Sequence, residues 1–572
     1  MFADTLPSSR IKILFAGFFV LSIVLSGRLA YWQVLHRGDL LAQARAQVVQ
    51  AEALAARRGA IYDHNGKLLA TTVQLESVYA IPQQVPDFAD GVCVARCAAA
   101  AAALAQALGE SAERMRARLE SGAEWVFLRR RVPEAMTAKV KALAIPGVGL
   151  EPEPKRMYPA DTAGASALGF VNDDGTGQAG VEARYDELLR GTPGELVVER
   201  DPANRALAVG LRQTTPAVDG ADLVLTLDLA MQSAAERELA RVVKNEKAAS
   251  GTIVILDPDT GAIRALASSP GFDPNDIAHA DPEAFRNRAA SWTYEPGSTM
   301  KAITIAAALN EHAVEPSTTY VDKGFAVIGG RVLNNALGKS YGRLDISGIL
   351  EKSANAGAVF VAQRLGADKL YRYLRDFGFG QATGVDLAAE ATGTVRPLAE
   401  WYPIDLGTAA FGQGLTVTPL QLAAAYAAIA NGGTLYRPYI VQEVHARDGS
   451  VQHAQPQAVR RVLSPETAAI VREMLTKVVD RGIAQNARLT SYSVAGKTGT
   501  AQIASADGSY LSNEYISSFA SLVPARDPRF VCLVVIERPQ SRLLGTLSAM
   551  SAFTGLAGDL MRYARIEPDR GR

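Results

Sequence analysis

The chain is predicted to be an α+β protein, with a single transmembrane helix ahead of a mixed N-terminal domain and a C-terminal domain built on an antiparallel sheet. Three observations predict this. Strand-like runs separated by turn residues stand at both ends of the C-terminal half, with a helical block between them. One long apolar run lies near the N-terminus, from Ile13 to Leu35. At 572 residues and 48% apolar, the chain can bury more than one core, which implies two or three domains.

Lys plus Arg and Asp plus Glu each total 59, so there is no electrostatic case for nucleic acid or an acidic polymer as partner. Three cysteines do not make a disulfide scaffold. Cys93 and Cys97 stand four apart before an alanine run, either bridged in an oxidising compartment or as two thiols on one helical turn. Cys532, in an apolar run, reads as inert core. The six histidines are scattered and no Cys/His group has metal-ligand spacing, so neither metal nor cofactor is expected.

Taken in order, Arg10 and Lys12 precede the uncharged run Ile13–Gly27, which is short of the roughly 20 residues a bilayer helix needs. Continued through Arg28 to Leu35 it is long enough, with Arg28 snorkelling and Tyr31 and Trp32 at the interface. A cleaved signal peptide is the rival reading. No small-x-small site follows, so 1–12 is read as a cytoplasmic tail and 13–35 as an uncleaved anchor. Either reading sends residue 36 onward out of the cytoplasm.

Residues 36–56, rich in Ala, Gln and Leu, are predicted to be helical. Asn65-Gly66 between Ala60-Ile61-Tyr62 and Lys67-Leu68-Leu69 predicts a hairpin. Residues 94–108 predict a helix capped by Gly109. The strand Trp125–Leu128 runs into Arg129-Arg130-Arg131, for which an ion-paired structural role is the default. Residues 149–199, with Asp173-Asp174-Gly175-Thr176-Gly177, read as loop-bearing. They lack the strand-Gly-x-Gly-x-x-Gly-helix order of a dinucleotide site. Thr214-Thr215-Pro216 and Asp219-Gly220 mark a boundary between domains 36–215 and 216–572.

Beyond it, Leu223–Leu227 reads as a strand and Asp228 as the cap of a helix burying Met231, Ala235, Leu239 and Val242. Thr252–Leu256 and Ile263–Ala267 flank one turn, and Ser517–Leu522 and Phe530–Ile536 flank another. Ser493–Gln502 reads as a strand, and Ser548–Tyr563 as an amphipathic helix.

Three segments of this half carry chemistry. In Pro296-Gly297-Ser298-Thr299-Met300-Lys301, serine and lysine share a helical face. A serine needs a base to become a nucleophile, and a lysine can serve if burial and a nearby cation lower its pKa. The Pro-Gly break puts Ser298 at a helix N-terminus, where free N–H groups can stabilise an oxyanion. Alone, Ser-x-x-Lys is more often an ordinary helix start. Ser353-Ala354-Asn355 adds a hydroxyl to relay a proton and an amide to hold a carbonyl or steady the lysine. In Lys497-Thr498-Gly499-Thr500, Lys497 offers a cation for a carboxylate and Gly499 room for a substrate backbone. Thr500 N–H can complete an oxyanion hole, on a strand edge able to take an extended peptide.

Ser-x-x-Lys, Ser-x-Asn and Lys-Thr-Gly in this order match the motif set of penicillin-binding proteins and serine β-lactamases. The chain resembles class B penicillin-binding proteins, the monofunctional peptidoglycan D,D-transpeptidases. Arg58–Asp63, Gly177–Glu182 and Phe411–Leu422 are similar to further signatures of that family. The resemblance implies a membrane anchor, an elongated pedestal of the penicillin-binding-protein dimerisation type and a β-lactamase-like transpeptidase domain. It implies that Ser298 attacks the penultimate D-Ala of a stem peptide ending in D-Ala-D-Ala and passes the acyl group to an amine, with β-lactams acylating the same serine. It also implies a single-pass protein of the cytoplasmic (inner) membrane, working beside a glycosyltransferase of the SEDS type and other division proteins.

Asn355, and Gly169–Gly175, look closer to the division-type (septal) enzymes than to the elongation type. His64 stands where the family usually has Arg, which puts a pedestal ion pair in question. Gly545–Ala557 departs from the usual C-terminal pattern. Three other readings compete: a β-lactamase or carboxypeptidase, an elongation-type transpeptidase, and a β-lactam-binding sensor or scaffold without turnover.

Overall fold

Five antiparallel strands form the sheet that carries the C-terminal motifs, in the order Ile263–Ser269, Ser250–Leu256, Phe530–Glu537, Tyr510–Val523, Ala495–Ala504. The computed structural model describes residues 8–40, 49–199, 207, 212–505, 510–540 and 545–570. The central strands are buried along almost their whole length and read as continuous Val/Ile/Leu runs. Helices Leu229–Asn245 and Gly545–Tyr563 pack on the sheet, the first capped by Asp228, whose carboxylate accepts from Ala230 and Met231 N–H. Met231, Ala235, Leu239 and Val242 are all buried, as the helical spacing predicts.

A helical block follows in sequence. Helix Met300–Asn310 is buried from Met300 to Leu309. Helix Pro419–Ala430 is buried throughout and starts with a reciprocal cap between Thr418 and Gln421. The block also contains a small β arm, with strands Thr319–Asp322 and Gly342–Asp345 paired, and Phe325–Ile328 paired with Arg331–Asn334. Gly329-Gly330 between two apolar runs is a hairpin signal absent from the helical reading of this stretch.

The chain divides into two compact units, one of residues 1–57 and 191–219, the other of 58–190 and 220–572. In the second unit the predicted hairpin is present, with Ile61 opposite Ala70 and Gly66 at φ +79°. Asp63 Oδ1 accepts from Asn65 and Lys67 N–H and stabilises the turn. Its strands join Val126–Val132, Val148–Met157, Asp222–Leu225, Val441–His445 and Val451–His453 in one seven-stranded sheet. Residues 441–453 therefore extend a sheet begun near residue 61. The stretch 149–199, read as loop-bearing, opens instead with a strand paired along Leu68–Ala80 and closes with the strand Gly194–Glu199.

Arg130 and Arg131 pair with Glu153, and Arg131 also with Asp173, the structural role expected of that basic run. Helix Ala95–Leu108 ends at Gly109 in the left-handed conformation, as predicted. Cys93 and Cys97 are bridged, and Cys532 is a buried free thiol. His64 hydrogen-bonds Gln442 at an exposed position. The buried ion cluster of this region is built by other residues: Arg58 and Arg156 both donate to Glu182, at 2.8 and 2.7 Å, and Arg58 also reaches Asp186.

In the first unit, Ser9–Leu35 is helical, long and apolar enough to cross a membrane. At 1.5 Å per residue it spans about 40 Å. Of the helix expected over 36–56, residues 37–40 are helical, but the later part is corrected by the structure: Val49–Leu54 is a strand, antiparallel to Gly194–Glu199, which in turn pairs Arg212–Thr215. Pairing outweighs the helix propensity of Ala, Glu and Leu there. Residues 41–48 of that stretch, and residues 1–7 of the tail, lie outside the described residues.

Candidate active site

Ser298 sits in a single 3-10 turn, Gly297–Thr299, that leads directly into helix Met300–Asn310. Buried contacts hold this turn from three sides. Thr299 Oγ1 donates to Pro296 O, Tyr426 OH donates to Thr299 O, and Thr304 Oγ1 donates to Ala410 O. Gly297 N donates to Gly412 O at 3.0 Å. A Cβ on Gly412 would stand 2.2 Å from Gly297 O, so glycine is required where that loop crosses the serine. The Phe411–Leu422 run therefore has a concrete task beside the nucleophile.

The lysine arrives from below. Lys301 is 0% exposed, and its Nζ lies 3.0 Å from Ser298 Oγ. It also lies 2.6 Å from Ser353 O, 3.1 Å from Ser353 Oγ and 2.7 Å from Asn355 Oδ1. Ser353 ends helix Ile346–Lys352 in the left-handed conformation at φ +55°, and Asn355 begins helix Asn355–Leu365. This local turn makes both side chains converge. A non-glycine residue in that conformation costs roughly 1–2 kcal/mol, here offset by directing both oxygens of Ser353 at Lys301.

Lys497, on the edge strand of the sheet, closes the group. It is 0% exposed, with Nζ 3.0 Å from Ser353 Oγ and 3.1 Å from Thr498 O. Burial pulls its pKa down to about 7. Burial first, and then the charge of Lys497, hold Lys301 well below the ordinary lysine value. These are the two conditions a lysine base needs.

Ser298, Ser353, Asn355, Thr498 and Thr500 line one cleft of about 660 Å³, with Gln413, Gln502 and Tyr515. Its rim is formed by the β arm, through Val332, Leu337 and Tyr341. A larger hollow of about 1070 Å³, over Arg472, Arg488 and Asp569, contains none of the motif residues. The outer edge of Ala495–Ala504 has no strand beside it among the described residues, while Thr500 pairs Ser517 on the inner side. Gly499 faces inward: a Cβ there would stand 2.3 Å from Ser518 Oγ and 2.9 Å from Pro296 O. Its bareness lets the edge strand lie against the serine turn.

Sequence reasoning passed over two neighbours of this site. Glu295, three residues before the nucleophile, accepts from Gly414 N–H at 2.8 Å and from Tyr510 OH at 3.1 Å. Asn335 in the arm bonds Ala356 at the start of the Asn355 helix. Neither stands in a local pattern that betrays it, since both partners are distant in sequence.

The penicillin-binding protein transpeptidase domain family matches residues 251–555, and the penicillin-binding protein dimerisation domain family matches 53–225. Stage V sporulation protein D of Bacillus subtilis is 34% identical over 97% of this chain and 85% of its own length. The chain belongs to the class B penicillin-binding proteins. Peptidoglycan D,D-transpeptidase FtsI of Escherichia coli is 32% identical, covering 95% of this chain and 90% of that protein. Among solved structures, penicillin-binding protein 3 of Mycobacterium tuberculosis complexed with aztreonam aligns with a TM-score of 0.70 at 27% identity, over 90% of this chain and 98% of that one.

Proposed function

We propose that this class B penicillin-binding protein is a membrane-anchored D,D-transpeptidase that cross-links peptidoglycan stem peptides through an acyl-enzyme on Ser298, in septal wall synthesis. The observation that carries the reading is the convergence of two buried lysines on two serine hydroxyls at the floor of an open cleft.

Lys301 in its neutral form takes the proton of Ser298 Oγ, 3.0 Å away, as the oxygen attacks the carbonyl of the penultimate D-Ala. The N–H groups of Ser298 and Thr500 are the donors available to the oxyanion. Ser353 Oγ, between the two ammonium nitrogens at 3.1 and 3.0 Å, passes the proton to the departing D-Ala amine. Lys497, Thr498 and Thr500 receive the terminal carboxylate, which favours the ammonium form of Lys497. An amine from a second strand then attacks the ester, and Ser298 recovers its proton by the reverse route.

The septal assignment is supported by Asn355, by Gly169–Gly175, and by likeness to FtsI. The apolar helix Ser9–Leu35 and the Cys93–Cys97 bridge support a catalytic domain outside the cytoplasmic membrane. A SEDS-type glycosyltransferase is the partner that the family likeness suggests. A fluorescent fusion that concentrates at midcell supports the septal role, and uniform sidewall localisation overturns it. Release of D-Ala from a D-Ala-D-Ala peptide by the wild type, and none by Ser298→Ala, tests the chemistry.

A further inference from the structure

The helix that begins at Asn355 has no cap of its own. Ala354 stands at its N-cap position and accepts no hydrogen bond through its side chain. Alanine is a poor residue there, because the first N–H groups of a helix need an acceptor. The acceptor comes from the β arm: Asn335 Oδ1 takes the N–H of Ala356 at 2.9 Å.

Asn335 is itself fixed. It is 3% exposed, and its amide donates to Asp322 Oδ2 at 2.8 Å and to Lys339 O at 2.9 Å. Asp322 is held in turn by Gly324 and Tyr341 N–H. The residue before it completes the link, because Asn355 Nδ2 donates to Asn334 O at 2.9 Å. That bond fixes which end of the Asn355 amide faces Lys301: Oδ1, 2.7 Å from Nζ. With the amide reversed, an NH2 group would meet the lysine and both contacts would be lost.

We propose that Asn335 is a positioning residue for acyl transfer, capping the Asn355 helix from the arm while Asn334 O holds the Asn355 amide with its oxygen on Lys301. This rests on the reading of Ser298, Lys301 and Asn355 given above. A role confined to folding of the arm is the competing account.

The test is acylation of the full chain by a fluorescent penicillin, with the rate constant of the covalent step resolved from the noncovalent constant, and with Tm measured alongside. Asn335→Ala slows the covalent step about tenfold, the loss of one helix cap, and leaves the noncovalent constant within about twofold. In an Asn355→Ala background it has no further effect, because Asn335 acts on Lys301 only through the placement of the Asn355 amide. Ala354→Ser, which supplies a cap within the helix's own chain, restores the covalent step of Asn335→Ala to within about threefold of wild type. Wild-type acylation by Asn335→Ala, or the same loss with and without Asn355, overturns the proposal. If Asn335→Ala does not fold, Asn335→Ser with and without Ala354→Ser carries the comparison; rescue supports the proposal and its absence overturns it. Labelling that persists in Ser298→Ala removes the underlying site reading. Loss of labelling there beside an unchanged Asn335→Ala removes only the role of Asn335.

Discussion

Lys301 and Lys497 meet on one hydroxyl, with Nζ of each within 3.1 Å of Ser353 Oγ and both side chains fully buried. Two ammonium groups held this close, with no carboxylate paired to either among the described residues, favour the loss of a proton. Both effects favour the neutral, basic form of Lys301.

The pH dependence of acylation follows. The charge of Lys497 is one of the two causes holding Lys301 low. Removing it in Lys497→Met raises the pKa of Lys301, so the rising acid limb of the acylation profile moves to higher pH. Acylation rates measured from about pH 5 to 10 check this, and an unmoved limb contradicts it. Lys301→Ala loses the limb and slows acylation by roughly 10²–10⁴-fold.

Stability also rises with pH, through Lys497. Lys497 has a folded pKa of about 7, against roughly 10.4 in an unfolded chain. Between those values the unfolded state binds more protons, so folding stability rises with pH through this window. Lys497→Met flattens that rise, because the group that binds a proton more weakly in the folded state is gone. Thermal unfolding of wild type and variant at about pH 7 and 10 gives the comparison.

Gly499→Ala tests the packing of the edge strand. Its Cβ would enter the space of Ser518 Oγ and Pro296 O, which costs about 1–3 kcal/mol and pushes the strand from the serine turn. Acylation is expected to fall about tenfold or more, with the circular dichroism spectrum unchanged.

Glu182→Ala leaves Arg58 and Arg156 buried without their carboxylate. Breaking a buried ion cluster in this way costs about 3–5 kcal/mol. The unfolding midpoint drops, while acylation at 25 °C by the protein that remains folded is unchanged.

The parts of this molecule written as local patterns were legible in its sequence. Ser298 and Lys301 share a helical face, Asn65-Gly66 makes a hairpin, and Asp228 caps a helix, each through residues within a few positions. The meeting of Lys301 with Ser353 and Lys497 was legible only through the motif set, because no local spacing connects residues so far apart. Asn335 and Glu295 were not legible at all; their partners lie on other elements, and an asparagine in an exposed-looking loop carries no sign of burial. The strand Val49–Leu54 is hidden in the sequence because Ala, Glu and Leu favour helix, while its partner Gly194–Glu199 lies far along the chain. The arm at 319–345 was hidden between helices, though Gly329-Gly330 marked its turn.

The most direct measurement is mass spectrometry of the intact chain and its peptides after incubation with benzylpenicillin. The account predicts one covalent penicilloyl adduct, located on Ser298 and absent from Ser298→Ala. An adduct on another residue, or undiminished labelling of Ser298→Ala, would contradict it.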